Sequence, residues 1–316
     1  MSKIAHTTVF VRGSTICTAP LTANGIVNDF LSNLTFKEYD IDYEMSVKGV
    51  LIMKTRIISG IVMALIVAAV LVVGYLWAPI VITLAVALLA AAAVYELIGN
   101  AAGIKKLNVL IGACAYAAIA VVVGTYFSFV GAMTATVLYC IYAAVMILVN
   151  HNDFDLSKIV CSYALPIPFA FAFYFLNVII NNTDGIYYLL LLFNFSSVCD
   201  MGAYFVGVTI GKHKLCPEIS PKKTVEGAVG GIISSIVVTV IISLLFNKIS
   251  VPVLLLTIPL CALGMIGDLF ASAIKRSVGL KDYGNLIPGH GGIMDRLDSI
   301  IMIAPFMFTL IVWGII

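Results

Sequence analysis

Met53-Lys54-Thr55-Arg56 leads into Ile57-Ile58-Ser59-Gly60-Ile61-Val62-Met63-Ala64-Leu65-Ile66-Val67-Ala68-Ala69-Val70-Leu71-Val72-Val73-Gly74-Tyr75-Leu76-Trp77. From Ile57 onward this run carries no charge, and it is as long as the roughly 20 residues a helix needs to cross a bilayer. Working outward, further apolar segments of that length lie near 79–98, 107–124, 126–149, 159–180, 186–209, 226–246, 251–273 and 299–316. The breaks between them are short and hold turn residues, such as Ala78-Pro79, Gly99-Asn100 and Asn181-Asn182-Thr183-Asp184-Gly185. Composition agrees: 62% of the chain is hydrophobic and 11% charged, with a mean hydropathy of +1.11, whereas a soluble domain carries roughly 25% charge. The expected fold class is therefore all-α, a polytopic transmembrane helical bundle with about nine spanning helices.

Lys and Arg set the orientation, because loops rich in them stay cytoplasmic. With the N-terminus inside, Lys54, Arg56, Lys105, Lys106, Lys158, Lys212, Lys214, Lys222, Lys223, Lys275, Arg276, Lys281 and Arg296 all fall inside, and of the 14 basic residues from Lys54 onward Lys248 alone falls outside. An odd number of spans then puts the C-terminus outside. The net charge of +2 gives no reason to expect a nucleic-acid partner. Seven cysteines with no C-x-x-C pair indicate neither a zinc site nor a disulfide framework. Residues 1–52 lack helical periodicity and a secretory pattern, and are expected to be either a poorly ordered extension or a mispredicted start. Residues 53–316 form the membrane domain, with the site-forming part at 196–300.

Three polar constellations interrupt the apolar background, all on or just within the predicted cytoplasmic face. Asp200 lies inside the sixth apolar segment, where an acid is costly and is a functional candidate by default; the alternative is an acid capped by a neighbouring hydroxyl or lysine. The loop from Gly211 to Gly227 carries Lys212, Ser220, Lys222, Lys223 and Thr224 just before a helix begins. That arrangement offers backbone N–H groups, a hydroxyl and ammonium groups as a cradle for an anion, against the plainer reading of an ordinary basic inner loop. The third runs from Ser272 to Asp298, with Lys275, Arg276, Lys281, Asp282, His290, Asp295, Arg296 and Asp298, and has Asp268 upstream.

Asp295 and Asp298 are three apart at a helix start and share a side of it. Together with Asp268 they form a carboxylate cluster suited to Mg²⁺, which commonly takes one or two carboxylates plus substrate phosphates. The alternative is neutralisation by Lys275, Arg276 and Arg296. Between the acids, Pro288-Gly289-His290-Gly291-Gly292 supplies glycines that allow close backbone approach, which suits phosphate oxygens. His290 is a site residue with no role assigned.

Ser272-Ala-Ile-Lys275-Arg276, then Lys281-Asp282, then Pro288-Gly-His290-Gly291-Gly292-Ile-Met-Asp295-Arg296-Leu-Asp298 resembles the signature of the phosphatidate cytidylyltransferase family, also called CDP-diacylglycerol synthases. Asp200-Met-Gly-Ala-Tyr-Phe and Ser220-Pro-Lys-Lys-Thr-Val-Glu-Gly are similar to two further family segments, so the resemblance is strong over roughly 196–300. Met201 and Val208 depart from it, standing where the family usually has a hydroxyl residue and an arginine.

The resemblance implies an enzyme of phospholipid biosynthesis in the cell's inner membrane, its active site at the cytoplasmic face, that joins CTP to phosphatidic acid and releases pyrophosphate. It implies that Asp268 and Asp295 hold Mg²⁺, alone or with a second cation. Lys222, Lys223, Lys275, Arg276 and Arg296 are candidates for neutralising the reacting phosphates, and His290 counts with the catalytic residues with its role unassigned; Asp200, Lys212, Ser220, Lys222, Thr224, Lys281, Asp282, Gly291, Gly292 and Asp298 are candidates for substrate binding. A homodimer is implied as well. The competing classes are a related membrane lipid kinase of polyprenol or phytol type and an ion-coupled transporter; clustering at one face counts against the latter, since an inverted-repeat transporter would show interrupted helices in matching halves.

Overall fold

A computed structural model describes residues 55–316 of the chain; the expectations for residues 1–52, and the first two residues of the membrane domain, lie outside them. The helices are α1 (Thr55–Leu76), α2 (Ile80–Tyr95, continued by a π-helical turn Glu96–Ala101), α3 (Leu107–Val149), α4 (Leu156–Ala164), α5 (Pro166–Ile180), α6 (Gly185–Phe193, continued by a π-helical turn Asn194–Val198), α7 (Cys199–Ile210), α8 (Val225–Leu245), α9 (Val251–Ser277) and α10 (Met294–Val312). By length and composition, seven described helical stretches are able to cross a membrane, α4 with α5 and α6 with α7 each counting as one. The protein is thus an all-α membrane bundle.

The 43-residue α3 is two helices. Phe127 and Ser128 leave helical geometry, Ser128 with φ of 58°, and the chain folds back on itself there. Residues on either side of the break meet as antiparallel arms do. The rings of Tyr116 and Tyr139 stack at 4.2 Å, Tyr116 Oη lies 2.9 Å from Thr136 Oγ1, and Tyr142 Oη donates to Asn108 O at 2.7 Å. The two arms of α3 correspond to the apolar segments read from the sequence near 107–124 and 126–149.

Helix starts follow local chemistry. Asp155 caps α4 by accepting from Lys158 N, Ser250 caps α9 by accepting from Val253 N, and Pro166 opens α5, where no amide hydrogen is needed. Polar side chains at membrane depth find one another, as they do in lipid. Asn177 donates to Thr83 and Thr125, and Asn194 donates to Ser235 O and Thr239 Oγ1. Between α7 and α8 the backbones come close because small residues face each other: a Cβ on Gly202 would overlap Ser234.

The described helix ends sort into two groups. At one end Lys248 pairs with Asp184, Tyr75 Oη donates to Ile180 O, and Tyr188 Oη donates to Ile316 O. At the other lie Ser59, Glu96, Gly211, Lys223, Lys275 and Asp295, which the polar contacts described below tie together. Among the described residues, this second end carries the one pair of strands. β1 (Lys214–Cys216) and β2 (Ser220–Thr224) pair antiparallel around a turn at 217–219, in the segment read from the sequence as an irregular loop.

Candidate active site

The polar end gathers residues from four elements. Lys223, at the end of β2, puts Nζ 2.5 Å from Asp268 Oδ2 on α9. This is an ion pair without hydrogen-bond angles. The ammonium is shut off from solvent, and no acceptor among the described residues takes a hydrogen bond from it in good geometry. Asp268 Oδ1 also accepts from Ser272 Oγ at 3.4 Å, one turn further along α9. Asp200, in the first turn of α7, lies within electrostatic reach of both Lys223 and Asp268. Asp298, one turn into α10, lies within reach of Asp268, Lys275 and Asp200. Its Oδ1 accepts from Ser299 N at 2.7 Å.

Asp295 is engaged on all sides. Oδ1 accepts from Lys275 Nζ at 2.7 Å, and Oδ2 accepts from Tyr283 N at 2.8 Å and Gly292 N at 3.0 Å. The pair is buried, with side chains 10% and 4% exposed, so each charge depends on the other. Tyr283 is wholly buried; its hydroxyl donates to Ala271 O at 2.9 Å. Burial, with the charges of Asp295 and Asp298 beside it, pushes that hydroxyl well above the ordinary tyrosine range, so it stays a donor. The neutralisation by Lys275 weighed from the sequence is therefore present at Asp295. At Asp268 the cation is Lys223 of the hairpin, which sequence spacing did not suggest.

The glycine turn takes the shape its composition called for. Gly289 and Gly291 have φ of 77° and 84°, and Ile287 N donates to Gly291 O at 2.9 Å to close it. His290 leaves this turn toward α1: its Nδ1 lies 2.8 Å from Ser59 Oγ, and its ring rests on Gly60. It thus docks the first helix on the signature loop.

Other expected residues lie around this cluster. Thr224 is buried and caps α8, its Oγ1 accepting from Gly227 N at 3.1 Å, a role in the fold where a substrate contact was expected. Ser220 opens β2, half-buried opposite Cys216. Lys212, Lys222, Lys281, Asp282 and Arg296 are exposed. Arg276 is exposed too and donates to Leu280 O at 3.2 Å. They form a charged surface around the buried pairs.

Sequence reasoning missed Glu96, Asn100, Ser59 and Glu226. Glu96 had a signal: it is the charged residue of the apolar segment 79–98, and an acid there is a site candidate by default. Its partners lie almost two hundred residues away, at Ile293 and Met294. Glu226 anchors the hairpin, accepting from the amides of Lys212 and His213 and meeting His213 Nδ1 at 2.6 Å.

Among the described residues no three His, Cys, Asp or Glu side chains converge to hold a metal by themselves. A Mg²⁺ completed by phosphate oxygens asks for only one or two carboxylates, and Asp268, with one oxygen held only by the long Ser272 contact, fits that demand. Asp295 fits it where Lys275 gives up Oδ1.

A sequence model described as the cytidylyltransferase family matches residues 54–313. The phosphatidate cytidylyltransferase of Bacillus subtilis (strain 168) is 46% identical over 115 residues, 35% of this chain and 42% of the relative. That of Staphylococcus saprophyticus is 40% identical over 134 residues, 42% of this chain and 52% of the relative. That of Staphylococcus aureus (strain COL) is 38% identical over 135 residues, again 42% and 52%. The aligned stretch spans about half the length, or less, of these curated relatives. The family match covers far more than half of the chain, and the chain belongs to the cytidylyltransferase family.

Proposed function

We propose that the protein condenses CTP with phosphatidic acid to give CDP-diacylglycerol and pyrophosphate. The observation that carries this reading is the Lys223 ammonium, buried beside Asp268 with donors left over, in a cluster where Lys275, Asp200, Asp295 and Asp298 also meet. A solvent-shielded ammonium with donors left over beyond its one carboxylate has room for a further anion, and phosphate is a usual partner of such a lysine. The relatives named phosphatidate cytidylyltransferase support the choice of anions.

An ionised oxygen of the lipid phosphate forms the new bond to the α-phosphorus of CTP. The bond from that phosphorus to the bridging oxygen breaks, and the electron pair leaves with pyrophosphate. The attacking oxygen is already deprotonated, so no strong general base is needed and His290 is free to be a docking residue. Lys223 and Lys275 exchange their carboxylates for phosphate oxygens as substrates arrive, and Asp268 and Asp295 are then the residues that would hold Mg²⁺. The metal would stabilise charge developing on the nucleotide phosphates. Lys212, Lys222, Arg276, Lys281 and Arg296 draw the two anions to this end, and the excess of Lys and Arg in its loops supports its lying at the cytoplasmic face of the cell membrane. The working form is a homodimer on the family resemblance.

Purified protein given labelled CTP, phosphatidic acid and Mg²⁺ is expected to form CDP-diacylglycerol with pyrophosphate as co-product. Asp268→Ala and Asp295→Ala should each reduce the rate on the order of a thousandfold, since metal-borne charge stabilisation is worth several kcal/mol. Transfer of the γ-phosphate to a lipid alcohol, or undiminished product from both variants, defeats the reading.

A further inference from the structure

Glu96 takes no part in the chemistry above, yet its side chain is buried to 3% exposure in a chain where charge is costly. No lysine or arginine is needed to explain it. Oε1 accepts from Ile293 N at 3.1 Å and Oε2 from Met294 N at 2.9 Å. These amides stand at the start of α10, where a helix presents unpaired donors and positive potential, and a carboxylate is the favoured partner there. Asp295 is the next residue.

The same π-helical turn reaches the far end of the signature loop. Asn100 Nδ2 donates to Tyr283 O at 2.7 Å, and Tyr283 N donates to Asp295 Oδ2 at 2.8 Å. One turn of α2 thus holds the loop at 283 and at 293–294, while Asp295 joins the two ends from within. Gly284 and Gly292 face the Glu96 carboxylate so closely that a Cβ on either would overlap it. π-Turns recur at functional sites because the added residue redirects side chains. The one ending α2 aims Glu96 and Asn100 at a single loop.

We propose that Glu96 is a positioning residue: by holding the first amides of α10 it keeps the Asp295 carboxylate in its place in the cluster after Lys275 turns to phosphate, and so sets the rate of the chemical step without touching substrate. The inference rests on the nucleotidyl-transfer reading for its kinetic consequence, though not for its structural one.

Two readouts on the full chain test it. In the CTP and phosphatidic acid assay, Glu96→Gln keeps the size but turns a donor toward an amide; it should lower kcat about tenfold, and Glu96→Ala about a hundredfold. KM for CTP should stay within about twofold, as expected when the ground-state contacts are untouched. Asn177→Ala, a loss of an equally buried polar side chain at the opposite end, should lower thermal stability and leave kcat unchanged. By hydrogen exchange, the amides of Tyr283 and of 292–294 should open faster in Glu96→Gln, with peptides of the opposite end unaltered. Should Glu96→Ala fail to fold, Glu96→Gln decides. A kcat within twofold of wild type, or a kcat loss that merely tracks stability as in Asn177→Ala, overturns the proposal. If wild-type protein makes no product the reaction assignment is what fails, and the exchange measurement alone rules: unchanged exchange at 283 and 292–294 overturns the role of Glu96.

Discussion

The two halves of the polar cluster are built on opposite plans. The signature loop is held from within: Glu96 and Asn100 grip its ends, Asp295 takes two of its amides, and Tyr283 is buried beneath it. The hairpin from Gly211 to Thr224 is fastened at its base by Glu226 and through Lys223 to Asp268, and leaves Lys212 and Lys222 in solvent. Lys223 links the halves across to Asp268. On the nucleotidyl-transfer reading the difference has a use. Groups that hold the reacting centre are fixed before substrates arrive, because misplacing them costs rate. Groups that collect anions stay exposed, because attraction at a distance needs charge and no fixed pose.

The lysines separate the two plans most sharply. Lys275→Met leaves Asp295 buried beside two amides with no cation, and breaking such a pair costs about 3–5 kcal/mol. Activity should fall on the order of a thousandfold, and the unfolding midpoint should drop with it. Lys223→Met removes a partner from a pair whose side chains are 24% and 25% exposed, against 10% and 4% for Lys275 and Asp295, so its stability cost should be clearly smaller than that of Lys275→Met. Its activity should still fall about a hundredfold, as when one aimed donor to a developing charge is lost. Thermal unfolding and turnover measured on both proteins check this; equal stability losses would erase the contrast between a prebuilt half and an open one.

Glycines of the signature loop give the next largest effect. Gly292→Ala pushes a methyl into the Glu96 carboxylate, which is pinned by two amides and unable to retreat without releasing α10. Its turnover loss should match that of Glu96→Ala, about a hundredfold. Gly279→Ala provides the comparison. Gly279 has φ of 70° with open space around it, so its cost is backbone strain of about 1 kcal/mol with turnover retained. Similar turnover in both variants would mean that strain, and not the packing against Glu96, governs the loop.

What the sequence disclosed follows the same division. Asp268, Lys275 and Asp295 were legible because charge stands out against an apolar chain and each sits within one short stretch. The bundle was legible because lipid demands long apolar runs. Glu96 was not read: its partners are amides 197 and 198 positions away, and no local pattern announces a contact of that range. The Ser59 contact to His290, 231 positions apart, was hidden for the same reason. Thr224 was read as a ligand group because a helix start with a hydroxyl suits an anion; the structure shows the same hydroxyl accepting from an amide of its own helix, a capping role that the sequence reading did not separate from it. The strands at 214–216 and 220–224 escaped because Pro221 and adjacent lysines argue against a strand in isolation, whereas the hairpin is fastened from outside by Glu226.

The smallest effect should come from the exposed lysines, and its form matters more than its size. Lys222 is exposed and neighbours Lys223, whose Nζ is buried against Asp268. If the hairpin collects anions and the loop performs the chemistry, Lys222→Ala removes long-range attraction and leaves the reacting centre alone. Kinetics should then show KM for CTP raised about threefold at low salt, kcat unchanged, and the difference from wild type shrinking as ionic strength rises, since exposed charges are screened over about 10 Å at 0.1 M salt. Adding Lys212→Ala should deepen the same change without altering kcat. A salt-independent loss of kcat in Lys222→Ala would place this lysine at the phosphates themselves, and the hairpin would then be as much a part of the reacting centre as the loop it faces.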